Sequence, residues 1–355
     1  MENTVARILD ANLNRAREGL RIIEEIFRFG YNDYEFALRC KEARHKLRLA
    51  LIFFPNEGQD LLWSRDSAQD VGAKTFTDGE AKREDLAQIF FANIKRVQEA
   101  TRALEEFSKS INGQSSQLFK EVRFMAYVIE KEGRATMVQK NWQERLAAVE
   151  LYVITGDKFA KGRTIVKTMA EAIAGGAQMI QLREKNLSTL ELIEVGKELR
   201  ALTREKDVIF VVNDRVDIAK AVDADGVHLG QDDLPVAMAR EIMGADKIIG
   251  VSTHSVEQAL KAEQDGADYI GVGPVFATDS KEDVCAPVGL ELVKNVSGLV
   301  SVPFVAIGGI KLHNLKEVLD QGAKRVCVIT EVVGAEDIEA AAKALRDSIS
   351  EYKKI

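Results

Sequence analysis

From about residue 150 onward, short apolar runs alternate with amphipathic segments of helical pattern. The first four runs are LYVIT, MIQLREK, VIFVVND and GVHLG, and KIIGVS, YIGVGPV, PFVAIGG and RVCVIT follow them. Segments such as TIVKTMAEAIAGG and SVEQALKAEQDG separate the runs. Eight strand-like units, each with a helix-like one, within about 200 residues predict an α/β fold, a (β/α)8 TIM barrel. A doubly wound open sheet is the alternative, and the polar residues that gather at the strand ends favour the barrel.

The first third of the chain has no strand pattern but contains an internal repeat. ANLNRAREGLRIIEEI, residues 11–26, returns at 92–107 as ANIKRVQEATRALEEF, with Ala, Asn, Arg, Glu, Arg, Glu and Glu in register. Apolar residues recur at three- and four-residue steps in both copies, which indicates amphipathic helices. We therefore predict an all-α, internally duplicated N-terminal domain at 1–140, with pseudo-twofold symmetry, followed by the barrel domain at 141–355.

Composition limits the classes of partner. The net charge is −7 and charged residues make up 30% of the chain, which argues against nucleic-acid or membrane-surface binding because those need a basic surface. The three cysteines are scattered and fit no metal spacing, as expected in a reducing compartment. No apolar run is long enough to span a bilayer. We expect a soluble, cytoplasmic protein, and a homo-oligomer remains possible.

The predicted second strand ends in polar residues with alternate spacing. Gln181, Arg183 and Lys185 are two positions apart, so their side chains project to one face of the strand, opposite Ile180 and Leu182. Two cations and an amide at a barrel mouth are costly unless an anion meets them. The pattern predicts an anion site, and a salt-bridged structural triplet is the alternative.

Carboxylates follow the next two strands. Asn213 and Asp214 end strand three, and Asp232 and Asp233 lie in the loop after strand four. Carboxylates from adjacent loops suit Mg²⁺, which takes few protein oxygens and completes its octahedron with water and phosphate. Either aspartate could instead cap the following helix. His228 could contact a ligand or be a structural histidine.

The last strands supply a second type of anion site. Gly308 and Gly309 follow strand seven and Thr330 follows strand eight, where barrels often hold phosphate with backbone N–H groups. The loop GPVFATDSKEDVCAP contains hydroxyls and Lys281; it could close over a charged substrate or be a solvated connection. Two phosphorylated substrates would fit such a site.

The motifs QLREK, ND, HLGQDD, GVST, GPVFATDSK, AIGGI and VIT, in this order, resemble the thiamin-phosphate synthase family over about 200 residues of the barrel half. The resemblance implies Mg²⁺-dependent condensation of hydroxymethylpyrimidine pyrophosphate with thiazole phosphate. It assigns Asp214 and Asp233 to the metal, and Arg183, Lys185 and Lys281 to catalysis. The residues implied to bind the pyrimidine pyrophosphate are Gln181, Arg183, Lys185, Asn213, Ser252 and Lys281, and those implied to bind the thiazole phosphate are Thr278, Ser280, Gly309, Ile329 and Thr330.

This sequence departs from the family pattern at three positions. Ala277 stands where proline is usual, Ser280 where threonine is usual and Thr330 where serine is usual. The hydroxyl exchanges keep their donors, and Ala277 loosens the loop. The alternative is a thiazole tautomerase-like relative, which would not need a metal and pyrophosphate site.

The repeated polar residues of the N-terminal half form a second candidate site. On a helical wheel Asn12 and Arg15, with their copies Asn93 and Arg96, lie beside the apolar face, and Glu18 and Glu99 are one step further round. Polar groups in that position need partners. They predict either a buried ion-pair network or a ligand cleft at the pseudo-axis. Between the copies, Arg65 and Asp70 lie in a polar segment that is either a binding loop or a surface loop.

The segments RILDANLNRAREGLRIIEE and RDSAQDVG resemble a helical domain fused to thiamin-phosphate synthases and described as a hydroxymethylpyrimidine-phosphate kinase. The resemblance implies that this half uses ATP to make the pyrophosphate that the barrel consumes. The absence of a G-x-x-x-x-G-K-[ST] motif excludes a P-loop kinase. The alternative is a non-catalytic dimerisation or regulatory module.

Overall fold

The computed structural model describes residues 3–65, 83–278, 280 and 286–353. Contacts along the chain divide it into two compact units, Met1–Val138 and Gln139–Ile355. The boundary falls inside one long helix, Gly113–Ala148. Among the described residues, no helix has the length and apolar character needed to cross a membrane.

The described part of the first unit is helical throughout, as the sequence predicts. Helix α2 is capped by Asp33 and helix α4 by Asp85, because each side chain accepts a hydrogen bond from a backbone N–H in the first turn. Asp70 lies outside the described residues. The helices are α1 (Asn3–Glu25), α2 (Tyr34–Ala50), α3 (Asp60–Trp63), α4 (Leu86–Ser108) and α5 (Gly113–Ala148), with a π-helical turn at Ile26–Gly30 and 3₁₀ turns at Leu51–Phe53 and Pro55–Gly58.

The two copies of the repeat are α1 and α4, and they pack against each other. Their apolar faces, including Leu20 and Val97, are fully buried. The helices approach closely at Gly19, where a Cβ would lie 2.7 Å from Cγ2 of Val97 and 3.1 Å from the carbonyl oxygen of Asn93. The equivalent position in the second copy is Ala100, which is also small and buried. Small residues therefore allow the two repeats to meet closely.

Buried ion pairs also occur once in each copy. Glu24 pairs with Arg44, and the equivalent Glu105 accepts a hydrogen bond of 2.8 Å from Nε of Arg123. Each of the two glutamate side chains is only 7% exposed. A buried carboxylate is stable only when it is paired and hydrogen-bonded. Among the described residues, buried ion pairs are therefore present in both copies, but they are not the predicted ones, because Arg15, Glu18, Arg96 and Glu99 take no part in them.

The second unit is a closed barrel of eight parallel strands in sequence order. The predicted fold is confirmed. The strands are β1 (Leu151–Ile154), β2 (Met179–Leu182), β3 (Ile209–Asn213), β4 (Gly226–Leu229), β5 (Ile248–Thr253), β6 (Tyr269–Val272), β7 (Phe304–Ile307) and β8 (Val326–Val328). The helices are α6 (Ile165–Ala174), α7 (Thr189–Lys206), α8 (Val216–Ala221), α9 (Val236–Met243), α10 (Val256–Gln264), α11 (Gly289–Ser297), α12 (Leu315–Asp320), α13 (Thr330–Val333) and α14 (Ile338–Tyr352), with a 3₁₀ turn at Asp157–Phe159.

Side-chain parity follows the sequence prediction on β2. Ile180 and Leu182 belong to the apolar layer between the strands and the outer helices. Met179 belongs to a separate cluster inside the barrel. At the amino-terminal end of the strands, Leu146 and Trp142 from the end of α5 pack on this interior cluster and close it. The opposite end, where the strands terminate, remains open for a site.

We expect Glu105→Ala to destabilise the protein by about 3 kcal/mol or more, because it leaves the Arg123 guanidinium largely buried without its carboxylate. The matched control is Glu106→Ala. Glu105 and Glu106 both pair with Arg102, but the Glu106 side chain is 41% exposed. We expect this control to change the free energy of unfolding by no more than about 0.5 kcal/mol. Urea unfolding of the full chain, followed by far-ultraviolet circular dichroism, measures both. Equal unfolding midpoints for the two variants would show that the buried pair contributes no more than a surface one.

Candidate active site

A cavity of about 670 Å³ opens at the carboxyl-terminal ends of the strands. It brings together residues from seven βα connections and from the barrel interior. Lys281 lies outside the described residues. The sequence-predicted residues that line the cavity are Gln181, Arg183, Lys185, Asn213, Asp214, Asp233, Ser252, Thr278, Ser280, Gly309, Ile329 and Thr330.

Arg183 and Lys185 form the basic side of the cavity. Burial lowers the pKa of the half-buried Arg183, and the nearby charges of Asp214 and Glu184 oppose that effect. Among the described residues, neither Arg183 nor Lys185 forms an ion pair with an N–O distance of 4.0 Å or less. The salt-bridged structural triplet is therefore not observed, and both cations face a space that an anion could occupy.

Thr155 and Asp157, from the connection after β1, form hydrogen bonds with the backbone of Arg183 and with the side chain of Glu184. The N–H of Arg183 donates to Oγ1 of Thr155 over 2.8 Å. The carboxylate of Glu184 accepts from the N–H of Asp157 at 3.1 and 3.2 Å. Burial raises the pKa of Glu184, and the hydrogen bond from the Thr155 side chain opposes that rise. Thr155 thus links the two consecutive residues, and sequence reasoning did not identify it.

Asp214 and Asp233 form the acidic side. Asp214 follows β3 with a φ of 56°, an unusual conformation for a residue other than glycine and one that often marks functional sites. Its N–H donates to the carbonyl of His228 over 2.9 Å. Oδ2 of Asp233 accepts from the N–H of Gly230 over 2.7 Å. Helix α9 starts after Pro235 without a side-chain cap, so the alternative of an N-cap aspartate is wrong.

The donor set fits a magnesium ion with few protein ligands. Asp214 and Asp233 both line the cavity, and Oδ1 of Asp233 takes no part in the bond to Gly230. Carboxylate oxygens are the ligands that Mg²⁺ prefers, with water and substrate phosphate in the other positions. Among the described residues, no group of three or more His, Cys, Asp or Glu side chains is arranged to hold a metal. Two carboxylates on one cavity would suit a magnesium site that water and substrate phosphate complete.

Glycines and hydroxyls line the side of the cavity at β6, β7 and β8. Gly309 has a φ of 63°, and a Cβ there would lie 2.5 Å from the carbonyl oxygen of Ala277. Thr330 opens the short helix α13, whose first N–H groups have no partner within the helix. The hydroxyls of Thr278 and Ser280 are 2.9 Å apart. This side offers neutral donors, which suit a phosphate group.

The floor of the cavity contains polar residues that the motif analysis missed. Tyr152 and Tyr269 lie at inward positions of β1 and β6 and are almost fully buried. His228 has partners within the protein, as expected of a structural histidine: its two ring nitrogens lie 2.9 Å from the hydroxyl of Tyr269 and 3.0 Å from that of Ser252. It also lines the cavity, and a ligand contact stays a prediction. The parity that located Gln181 would also have located the two tyrosines, since a phenol inside a barrel needs a partner.

The residues predicted for the N-terminal site do not share one environment. Asn12 and Asn93 each donate from the side-chain amide to the carbonyl four residues earlier, over 2.8 Å in both copies. Arg65 forms two hydrogen bonds, of 2.7 and 2.9 Å, with the buried carboxylate of Asp10. The expectation that Arg15 and its copy Arg96 lie beside the apolar face, away from solvent, is wrong, because both side chains are exposed. Glu18 and Glu99, one step further round the helix, are exposed as well.

Two family models match the chain. Residues 151–332 match "Thiamine monophosphate synthase" and residues 7–132 match the "ThiD2 family". A thiamine-phosphate synthase of Synechocystis sp. is 42% identical over 93% of this chain and 92% of its own length. One of Halalkalibacterium halodurans is 56% identical over 53% of this chain and 90% of its own. The match to the solved thiamine phosphate pyrophosphorylase of Pyrococcus furiosus covers 57% of this chain and 96% of that protein's chain, with 47% identity and a TM-score of 0.54.

The thiamine monophosphate synthase model matches residues 151–332, which are the residues that form the barrel. The Synechocystis relative spans both halves of the chain, whereas the Pyrococcus structure covers little more than half of it. The chain therefore belongs to the thiamine-phosphate synthase family.

Proposed function

We propose that the barrel condenses 4-amino-2-methyl-5-hydroxymethylpyrimidine pyrophosphate with hydroxyethylthiazole phosphate, giving thiamine phosphate and pyrophosphate. The observation that supports this most directly is the convergence of Arg183, Lys185, Asp214 and Asp233 on one cavity, opposite neutral donors that include Gly309. The charged side suits a diphosphate, and the neutral side suits the phosphate of a second substrate.

The chemistry needs charge stabilisation more than proton transfer. The bond between the pyrimidine methylene and pyrophosphate breaks, and the electron-rich aminopyrimidine stabilises the resulting cation. The thiazole nitrogen then attacks the methylene carbon; it carries no proton, so no general base is required. Arg183 and Lys185 hold the charge that develops on the leaving group, where one preorganised donor contributes about 3 kcal/mol. A magnesium ion on Asp214 and Asp233 would neutralise part of the same charge.

A thiazole tautomerase-like relative is the competing function for the barrel. Such an enzyme moves protons on the thiazole and has no leaving group, so it gains nothing from Lys185 and a pair of carboxylates at the cavity mouth. Release of pyrophosphate that depends on magnesium distinguishes the two activities.

We expect Asp214→Ala and Lys281→Ala to lower kcat by at least about a hundredfold, because each removes charge stabilisation of the leaving group. Asp217→Asn is the matched control, since Asp217 is an exposed carboxylate paired with Arg215. Pyrophosphate release by the full chain, with and without a magnesium chelator, is the measurement. Wild-type turnover in either of these two variants, with circular dichroism unchanged, would contradict the role proposed for that residue.

For the helical half, residues 1–140, we propose phosphorylation of the pyrimidine monophosphate by ATP. The match of residues 7–132 to the ThiD2 family and the exposure of Arg15 and Arg96 support it, since exposed guanidinium groups are accessible to phosphates. Arg65 is a weaker candidate for phosphate binding because Asp10 already holds it. A dimerisation or regulatory module is the competing proposal.

The full chain supplied with ATP, magnesium and the pyrimidine monophosphate, but no thiazole phosphate, should form ADP and the pyrimidine pyrophosphate in equal amounts. Arg15→Ala and Arg96→Ala should slow this step by about tenfold or more, since each removes a charge-assisted bond to phosphate. Arg17→Ala is the matched control, because Arg17 is exposed on the same helix outside the repeated set.

The absence of ADP would leave only the dimerisation or regulatory role. ADP formation that none of the three arginine variants alters would place the kinase site elsewhere in the helical half.

A further inference from the structure

A line of polar side chains crosses the floor of the cavity from β2 to β5. Nε2 of Gln181 donates to the Tyr152 hydroxyl over 2.6 Å, and that hydroxyl lies 3.4 Å from the hydroxyl of Tyr269. The Tyr269 hydroxyl lies 2.9 Å from Nδ1 of His228, whose Nε2 lies 3.0 Å from Oγ of Ser252. The middle three members, Tyr152, Tyr269 and His228, join Gln181 to Ser252.

The backbone leaves room for this line. Gly250 lies at an inward position of β5, and a Cβ there would lie 2.2 Å from Cζ of Tyr269 and 2.5 Å from Nδ1 of His228. A side chain larger than hydrogen at that position would separate the tyrosine from the histidine. Tyr152 is 2% exposed and Tyr269 is 0% exposed, so each must find its partners within the protein.

Proton counting gives the line a direction. A phenol has one proton to donate, and a neutral imidazole has one donor and one acceptor nitrogen. Gln181 donates to Tyr152, and the order of protons that continues from this bond has Tyr152 donating to Tyr269 and Tyr269 donating to Nδ1 of His228. Nε2 of His228 then donates to Ser252. Three groups remain: the carbonyl oxygen of Gln181, which is an acceptor, the second N–H of its amide, and the hydroxyl proton of Ser252, which is a donor.

We propose that Tyr152, Tyr269 and His228 are positioning residues that fix Gln181 as an acceptor and Ser252 as a donor, and so select an aminopyrimidine over an oxopyrimidine. This rests on the proposed function of the barrel. A 4-aminopyrimidine presents an N–H donor beside a ring-nitrogen acceptor, which complements the two groups. A 4-oxopyrimidine presents a carbonyl acceptor beside a ring N–H, which is the reverse.

The energetic consequence is large because the floor is buried. A mismatched ligand leaves polar groups of the site without partners beneath it, and sites built on hydrogen bonds reject such analogues strongly. Cutting the line at any link lets the amide of Gln181 or the hydroxyl of Ser252 turn to suit either ring. Selectivity should then fall although each end residue is still present.

The test compares binding of the 4-amino and 4-oxo forms of the hydroxymethylpyrimidine pyrophosphate by titration calorimetry, with pyrophosphate release measured in parallel. The wild-type chain should bind the amino form at least about a hundredfold more tightly. Tyr152→Phe and Tyr269→Phe cut the line at different links, and each should reduce that ratio by about tenfold or more. The double variant should lose no more than either single one, because the line is already cut.

Tyr352→Phe is the matched control, since it removes a phenol that bonds to Asp320 on the surface, and it should keep the wild-type ratio. General loosening of the barrel would weaken both ligands equally and leave the ratio unchanged, which would overturn the inference. A wild-type chain without preference for the amino form would also overturn it. Selective binding without pyrophosphate release in the presence of the thiazole phosphate would remove the proposed reaction and leave the positioning role standing.

Discussion

Closure of eight parallel strands sends every second side chain of each strand into one confined interior, and the candidate site depends on that constraint. An open sheet would spread Gln181, Asn213 and Ser252 along an edge, whereas the barrel points them at a common space. Polar groups buried in this interior, such as the hydroxyls of Tyr152 and Tyr269, must find hydrogen-bond partners within the protein. The contacts of Tyr152 and Tyr269 follow from burial as much as from any demand of a ligand.

The positive charge at the cavity mouth is local and opposite in sign to the net charge of the chain. The chain carries a net charge of −7, yet Arg183 and Lys185 meet at one cavity mouth. Burial lowers the pKa of the Arg183 guanidinium, so a bound anion would help to offset the cost of burying its charge. The charges of Asp214 and Glu184 already oppose part of this effect. The same two cations on an open surface would be screened and would hold a diphosphate less firmly.

Sequence periodicity was sufficient for the fold and for Gln181, Arg183 and Lys185, whereas Ser252, Thr278, Ser280 and Ile329 were predicted only from the family resemblance. Parity along MIQLREK placed Gln181 on the inside and Ile180 on the outside, because a strand has only two faces. A helix has no such restriction. The wheel placed Arg15 beside the apolar face, but it could not show which flank the neighbouring helix covers, and the side chain is exposed. The capping role considered for Asp233 failed for a similar reason, since the loop turns its carboxylate back to Gly230.

The duplicated hairpins have a consequence for how this half of the chain could change over time. If the two repeats were identical subunits on separate chains, every substitution would occur in both of them. Joined in a single polypeptide, the copies are independent, and one pair shows it: Asp10 of the first copy binds Arg65, while its counterpart in the second is Phe91. The ion pairs Glu24–Arg44 and Glu105–Arg123 are common to both copies and hold the shared helical packing. Because the copies lie in one polypeptide, each can acquire its own side chains at other positions.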